Sequence, residues 1–478
     1  MARICETVTA TTMAAMRSGR DRSTAELVEL RLDGVTDLDV AAALADRKKP
    51  VIVTCRPVWE GGAFAGSEET RLRLLAQAIA LGAEYVDVEW RADRSGLPTN
   101  PRTEIVLSHH VFDGMPADLE SRVSAMRTDA AGGVIKVAAA TRTLTDCVNL
   151  RRLTSGSDRQ IVIGMGAAGV ISRVCPWLFG SLWTYGGTAA DGQMPVADLA
   201  DCLRGRRATS ATAIYAITGA PLAHSASPAI QNAAFAAGGV DAVFVRMETA
   251  DAAEFLSAAE AFGVAGASVT APLKTAWAPL GVRLDAAAQA IGAVNTLRKA
   301  PNGWDGRNFD VDGFLAPLSR RSLQLKGQRV VVLGAGGAAR GVAWMLKQQG
   351  AHVEIAARRP ESAARLAAEL GVTAVPWPPS PGWDMLVNAT PVGTSPRVDA
   401  TPLEPHSIQG GLVYDLVYNP AETQLLRLAR AAGAGTIGGI EMLVAQAQAQ
   451  FAYWIGRAAP DDVMERAAAE FVRRRMEK

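Results

Sequence analysis

Between residues 3 and 203 the chain repeats one phrase, a short apolar run followed by a longer stretch rich in Ala and Leu. The runs are ICETVTA (4–10), LVELRLD (27–33), VIVTCRP (51–57), YVDVEW (85–90), EIVLSHH (104–110), GVIKVAAA (133–140), IVIGMG (161–166) and LWTYGG (182–187). Strands that alternate with helical stretches pair in parallel, because each return crossover carries the chain back to the end where it started. Eight such runs predict α/β architecture closed into a (β/α)8 TIM barrel. Arg31, Arg56, Glu89 and His110 come at or near the C-terminal ends of their runs, the face on which such barrels carry their chemistry.

A different arrangement follows. RGRRATSAT (204–212) is basic and small and reads as a linker. A second strand–helix series starts at AIYAITG (213–219), and in QRVVVLGAGGAARGVAWML (328–346) a strand runs through a glycine-rich turn into a helix. The expected division is a barrel over 1–203, an α/β unit over 213–315, and a dinucleotide-binding unit over 325–437. The segment 438–478 has helical spacing and is expected to pack back on 213–315.

Bulk properties exclude several classes. Lys plus Arg is 49 against 48 for Asp plus Glu, so nothing in the charge calls for nucleic acid or an anionic membrane. Cys5, Cys55, Cys147, Cys175 and Cys202 form no C-x-x-C pair, which suits free thiols in a reducing compartment and argues against disulfides or zinc; no metal is expected. No apolar run approaches a membrane span. The N-terminus enters a strand pattern at once, so no signal or transit peptide is expected and the chain is assigned to the cytoplasm. Oligomeric state has no signature in the sequence.

Lys136 interrupts an apolar run. On an edge strand its stem would lie on apolar surface with its head in water. Inside a barrel it would face the acids, bases and guanidiniums at the strand ends. A free lysine amine has a pKa near ~10.4, and burial beside other cations lowers it by ~3–5. The neutral amine can attack a ketone, and the protonated imine then acidifies the neighbouring C–H. His110 is placed to take that proton and return it to a departing hydroxyl. Arg31, Arg56 and Arg173 suit an acidic, hydroxylated substrate. The structural alternatives are a surface pair for His109 and His110, an ion pair between Arg31 and Asp33, and a core acceptor for Glu89.

At these residues the chain resembles type I 3-dehydroquinate dehydratase. The matches are ELRLD (29–33), CRPVWEGG (55–62), DVE (87–89), SHH (108–110), IK (135–136), MGAAGVISRV (165–174), FGS (179–181) and GQ (192–193). The resemblance implies that Lys136 forms the Schiff base, that His110 is the general acid/base, and that Glu60 orients it. It also implies substrate contacts from Glu29, Arg31 and Arg56, carboxylate binding at Arg173 and Gln193, and a pocket wall at Met165. Val111, Ala189 and Asp191 depart from the family pattern, Ala189 by lacking a substrate-holding hydroxyl.

In the second half GAGGAAR (334–340) follows a strand and opens a helix, the context in which a pyrophosphate meets backbone N–H groups. The next strand ends in Arg358 and Arg359, where an acid would favour NAD and an arginine suits the 2′-phosphate of NADP; Glu354 falls inside the strand. Lys274 and Asp310 form a candidate ammonium–carboxylate pair for protonating a carbonyl oxygen during hydride transfer. These residues, with GAPLAHSASPAIQN (219–232), SVTAPLK (268–274), GAVNTL (292–297), NATPVGT (388–394) and YDLVYNP (414–420), make this half similar to shikimate dehydrogenase.

That resemblance implies Lys274 and Asp310 as the catalytic pair. Substrate contacts fall to Ser225, Ser227, Thr270, Asn295, Tyr418 and Gln446. An NADP(H) site is implied at Gly334, Gly336, Gly337, Ala338, Arg358, Arg359, Asn388, Thr390 and Gly439. Segments 213–315 and 438–478 would form the substrate-binding domain and 325–437 a Rossmann domain. Phe309, Gln231, Glu441 and Arg359 depart from the family, Phe309 by setting a ring where a hydroxyl is usual near the substrate.

The two resemblances are to enzymes of consecutive steps. The expected substrates are 3-dehydroquinate, 3-dehydroshikimate and shikimate. Two alternatives are a catabolic quinate/shikimate dehydrogenase fusion and a metabolite-sensing homologue without catalysis.

Overall fold

A computed structural model of the chain describes residues 3–154, 159–190, 192–202, 208–409 and 411–476. Positions 204–207 of the expected linker, and Asp191, lie outside the described residues. The chain divides into two compact units. One comprises Met1–Ile214, Asp241–Thr249 and Ala253–Gly263; the other comprises Tyr215–Val240, Ala250–Ala252 and Val264–Lys478. This division groups Asp241–Thr249 and Ala253–Gly263 with residues 1–214, whereas the sequence pattern assigns them to 213–315.

In the first unit all eight expected runs form strands: β1 (Arg3–Thr9), β2 (Leu27–Arg31), β3 (Val51–Thr54), β4 (Tyr85–Glu89), β5 (Glu104–Val111), β6 (Val134–Ala140), β7 (Gln160–Met165) and β8 (Trp183–Gly186). They pair in the order β7-β6-β5-β4-β3-β2-β1-β8. The ring closes at one parallel bridge between Gln160 and Ser181, where the Leu182 N–H donates to the Gln160 carbonyl at 2.9 Å. Side chains alternate across each strand. One set, including Cys5, Leu27, Ile52, Val106, Val134, Ile161 and Trp183, fills the interior. The alternate set, Val28, Leu30, Val51, Val53, Val86 and Val88 among them, packs against the surrounding helices. The interval 90–103 carries no helix; Gly96, Pro98 and Pro101 remove the backbone regularity a helix needs.

In the second unit Val264–Val269 pairs antiparallel with Thr296–Ala300, which pairs antiparallel with Gly303–Arg307. A separate parallel sheet joins Thr373–Ala374, His352–Ala356, Arg329–Leu333, Met385–Asn388, Leu412–Asp415 and Gly435–Ile437 in that spatial order. The glycine-rich turn leaves Arg329–Leu333, next to the reversal of strand order where such folds take ligands. Gly334 has φ +111°, in the region only glycine occupies at low cost, and a Cβ there would stand 3.0 Å from the Ala389 carbonyl oxygen. The helix Gly439–Ile455 meets the strand Thr296–Ala300, with Trp454 Nε1 donating to the Leu297 carbonyl at 3.0 Å. Among the described residues no helix is long and apolar enough to cross a membrane.

Candidate active sites

Strand phase decides the fate of Lys136. Val134, Lys136 and Ala138 share the inner face of β6, and Lys136 is 5% exposed. Its Nζ lies 3.1 Å from Asp87 Oδ2, 3.4 Å from Glu29 Oε1 and 4.4 Å from the ring centroid of Tyr185. Of the acids, bases and guanidiniums expected around the amine, the groups that hydrogen-bond to it are two carboxylates, brought in by the inward positions of β2 and β4. Glu29 is itself pinned by Thr7 Oγ1 at 2.9 Å and Thr54 Oγ1 at 3.0 Å. Asp87 Oδ1 accepts from Arg56 Nη2 at 2.8 Å and Ser108 Oγ at 2.6 Å. Burial alone would raise both carboxyls. Lys136 and then Arg31 outweigh it at Glu29, as do Arg56 and then Lys136 at Asp87, so both are held below the usual carboxylate range.

His110 follows on the inner face of β5, two residues beyond Ser108, which is Lys136's partner in the ladder. Glu60 reaches it from the turn after β3. Gly62 makes that turn feasible, since a Cβ there would lie 2.1 Å from the Arg56 carbonyl oxygen. Glu60 Oε1 accepts from the His110 backbone N–H at 2.8 Å and stands 3.2 Å from His110 Nδ1. Burial, then the charges of Arg56 and Lys136, push the imidazole well below its ordinary value and keep it neutral at neutral pH. Burial pushes the Glu60 carboxyl up to about 7. An ionised Glu60 fixes the proton on Nδ1 and leaves the Nε2 lone pair as the base.

The other expected residues have mixed surroundings. Arg31 pairs with Asp33 through contacts of 2.9 and 2.8 Å. Arg173 is buried in the short helix Val170–Val174, where desolvation lowers it to about 10. Met165 ends β7, and its carbonyl accepts from Thr141 Oγ1 at 2.7 Å. Gln193 Oε1 accepts the N–H groups of Ala189 at 2.8 Å and Ala190 at 3.2 Å, so that side chain shapes the loop after β8. Glu89 is a core acceptor between Arg56 Nη1 at 2.6 Å and Arg71 Nη1 at 2.5 Å. Asp87 received no role from the sequence, although its inward phase with Tyr85 and Glu89 was available there. Arg71 sits on a helix and had no such signal.

In the second unit Lys274 Nζ donates to Asp310 Oδ2 at 2.5 Å. Asp310 opens the helix Asp310–Arg320, whose N-terminal dipole favours the carboxylate. Its Oδ1 accepts from Asn295 Nδ2 at 2.8 Å, and that amide lies 3.5 Å from Gln446 Oε1. Gln450, absent from the sequence reading, braces Asn295 from below: its Nε2 donates to the Asn295 carbonyl at 3.2 Å and meets Thr296 Oγ1 at 2.8 Å. Phe309 gives the site its backbone N–H, donated to Asn295 Oδ1 at 2.8 Å, while its ring rests on Tyr453 with centroids 5.5 Å apart. Ser225 Oγ accepts the Ser227 N–H at 3.3 Å, and Ser227 starts the helix Ser227–Ala237. Thr270 follows Val264–Val269, anchored through its N–H to the Thr218 carbonyl at 2.9 Å. Tyr418 Oη donates to the His224 carbonyl at 3.4 Å.

Beside this pair runs a cleft of about 450 Å³ lined by Gly334, Gly336, Arg358, Arg359, Trp377 and Thr390, among others. Gly337, at the helix start, lets the Lys274 stem approach: a Cβ there would lie 3.1 Å from Lys274 Cδ. Ala338 is the next residue of that helix and does not line the cleft. Glu354 is bound to Arg329 at 2.9 and 3.0 Å, away from the strand end. The Asn388 side chain is turned inward, donating to Asp415 Oδ1 at 2.9 Å and accepting from Thr390 Oγ1 at 2.7 Å. It shapes the turn, and Thr390 faces the cleft. Gly439 is a close-packing position, where a Cβ would stand 2.5 Å from the Leu416 carbonyl oxygen.

Comparison with known proteins covers both units. The type I 3-dehydroquinase profile matches residues 4–210. Profiles for the shikimate dehydrogenase substrate binding domain, shikimate/quinate 5-dehydrogenase and the shikimate 5′-dehydrogenase C-terminal domain match 217–297, 317–378 and 439–469. The chloroplastic bifunctional 3-dehydroquinate dehydratase/shikimate dehydrogenase of Arabidopsis thaliana is 33% identical, over 92% of this chain and 79% of that protein. A shikimate dehydrogenase (NADP(+)) of Moorella thermoacetica is 40% identical, over 55% of this chain and 94% of its own length. The crystal structure of shikimate 5-dehydrogenase from Thermus thermophilus in complex with NADP(H) and shikimate is 35% identical, with a TM-score of 0.51, covering 54% of this chain and all of that one.

Proposed function

The chain belongs to the bifunctional 3-dehydroquinate dehydratase/shikimate dehydrogenase family, and from that membership we propose that it dehydrates 3-dehydroquinate and reduces the resulting 3-dehydroshikimate to shikimate with NADPH. Residues 1–203 form the dehydratase. Residues 213–315 with 438–478 form the substrate-binding domain of the dehydrogenase, supported by the profile match over 217–297. Residues 325–437 hold the cofactor.

In the barrel, Lys136 attacks the substrate ketone once its proton has passed to the neutral imidazole of His110, on the same inner face; His110 returns that proton to the carbinolamine hydroxyl, which leaves as water, so the protonated imine forms and His110 is neutral again. The protonated imine draws electrons from the adjacent C–H, His110 removes that proton, and the protonated imidazole then supplies it to the leaving hydroxyl. Glu60 holds the imidazole in the tautomer this needs. Glu29 and Asp87 offset the cationic charge on the imine nitrogen, and Arg56 and Arg173 hold the anionic substrate. The observation that carries this reading is the inward, buried Lys136 sharing the barrel's inner face with a neutral His110.

In the dehydrogenase, NADPH bound in the cleft would supply the hydride. Lys274 donates a proton to the carbonyl oxygen, and Asp310, braced by Asn295, aims the ammonium. Arg358 and Arg359 line the same cleft and would hold the 2′-phosphate. Five buried, unbridged thiols fit a reducing cytosol.

The test is one incubation of the purified chain with 3-dehydroquinate and NADPH. Enone absorbance rises as water is lost, and NADPH absorbance then falls. Silence in both signals supports the sensing homologue. NADP-dependent oxidation of quinate, faster than that of shikimate, supports the catabolic enzyme.

A further inference from the structure

Behind the Schiff-base lysine runs a buried row of alternating charges. Lys136 Nζ meets Asp87 Oδ2 at 3.1 Å, and Asp87 Oδ1 meets Arg56 Nη2 at 2.8 Å. Arg56 Nη1 meets Glu89 Oε1 at 2.6 Å, and Glu89 Oε2 meets Arg71 Nη1 at 2.5 Å. Arg71 ends the row with Glu68 at 2.6 Å, the one member that opens to solvent. The helix Glu68–Ala80, capped by Ser67 through the Thr70 N–H, brings Arg71 in with its side chain fully buried. Its Nη1 also donates to the Cys55 carbonyl at 3.1 Å, tying it to the chain just before Arg56.

We propose that Arg71 is a positioning residue for the dehydration, acting through Glu89 and Arg56 on the Asp87–Lys136 pair. Glu89 is a fully buried carboxylate held between two guanidiniums. With Arg71 removed, only Arg56 is left to neutralise it. Glu89 must then take up a proton or draw Arg56 away from Asp87, because an uncompensated buried charge is not tolerated. Either event changes the field and the geometry at the carboxylate that touches Lys136. A purely architectural arginine would not transmit its loss through one named carboxylate.

The inference rests on the dehydratase reading. Its test is a double-mutant cycle on the full-length chain. Arg71→Met is expected to lower kcat/KM for 3-dehydroquinate by at least about tenfold and to move the pH at which borohydride traps the substrate on the protein. Arg71→Lys should lose less than Arg71→Met, since it keeps the charge while giving up the guanidinium fork. In a Glu89→Gln background, where no buried anion needs a second cation, Arg71→Met should cost less than about threefold. Equal losses with and without Glu89 ionisable, or no loss in a folded R71M, overturn the inference. If melting curves show R71M unfolded, Arg71→Gln takes its place in the same cycle. A wild type that does not dehydrate 3-dehydroquinate overturns the dehydratase reading itself; a wild type that does, with an unaltered R71M, overturns this inference alone.

Discussion

Glu60→Gln should slow dehydration and stabilise the barrel, each with its own pH dependence. Glu60 is 4% exposed, and burial raises its carboxyl from an ordinary 4.5 to about 7. A raised acid binds its proton more tightly when folded than when unfolded. Its ionisation therefore costs nothing below about pH 4.5, costs progressively more between 4.5 and 7, and costs its full amount above 7. At 1.36 kcal/mol per tenfold change in proton affinity, the full cost is about 3 kcal/mol. Glutamine has the same shape and no charge, so at about pH 8 the variant should be the more stable by up to that amount. This corresponds to a rise of roughly 6–12 °C in the melting transition of a barrel this size. At about pH 5 the gap should nearly close. Activity runs the other way. Wild-type dehydration should fall about fivefold from pH 7 to pH 6, as Glu60 protonates and the His110 tautomer is released. E60Q should lack that limb and run at least about a hundredfold below the wild-type plateau above pH 7. Scanning calorimetry at both pH values and initial enone rates from pH 5.5 to 8.5 measure the two effects. A wild-type rate flat across this range, or a stability advantage of E60Q over the wild type no larger at pH 8 than at pH 5, would refute the reasoning.

Further outcomes follow from the same geometry. Lys136→Ala should abolish dehydration while reduction of added 3-dehydroshikimate continues, and borohydride with substrate should add mass to the wild type only. Lys274→Ala and Asp310→Asn should lower the reduction rate by about 10²–10⁴ and leave enone formation from 3-dehydroquinate untouched. Arg358→Gln should raise the KM for NADPH by about 10–100-fold, the loss of one charge-assisted phosphate contact. NADH kinetics serve as the control and should barely move.

The strand period of GVIKVAAA puts Lys136 on one face with Val134 and Ala138, because a strand turns every second side chain to the same side, and the closed barrel makes that face the inner one. The same rule covers Glu29 and His110, whose strands lie where their runs predict. The glycine turn at 334–337 and the arginines after His352–Ala356 were equally legible, since each depends on a few adjacent residues. These features belong to the chain before it closes.

What touches Lys136 was decided only by closure. The sequence supplied acids, bases and guanidiniums near the amine without pairing them; the barrel set Asp87 and Glu29 against it, from positions 49 and 107 residues away. Arg71 is invisible on its helix until the turn of that helix sets it under the end of β3. Asn388 sits in a motif that points to cofactor, yet the parallel pairing of Met385–Asn388 with Leu412–Asp415 hands its amide to Asp415. Local periodicity fixes direction because it is a property of consecutive bonds. Partnership between distant charges depends on register and on the ring closing, and buried charges accept whatever arrangement leaves none of them uncompensated.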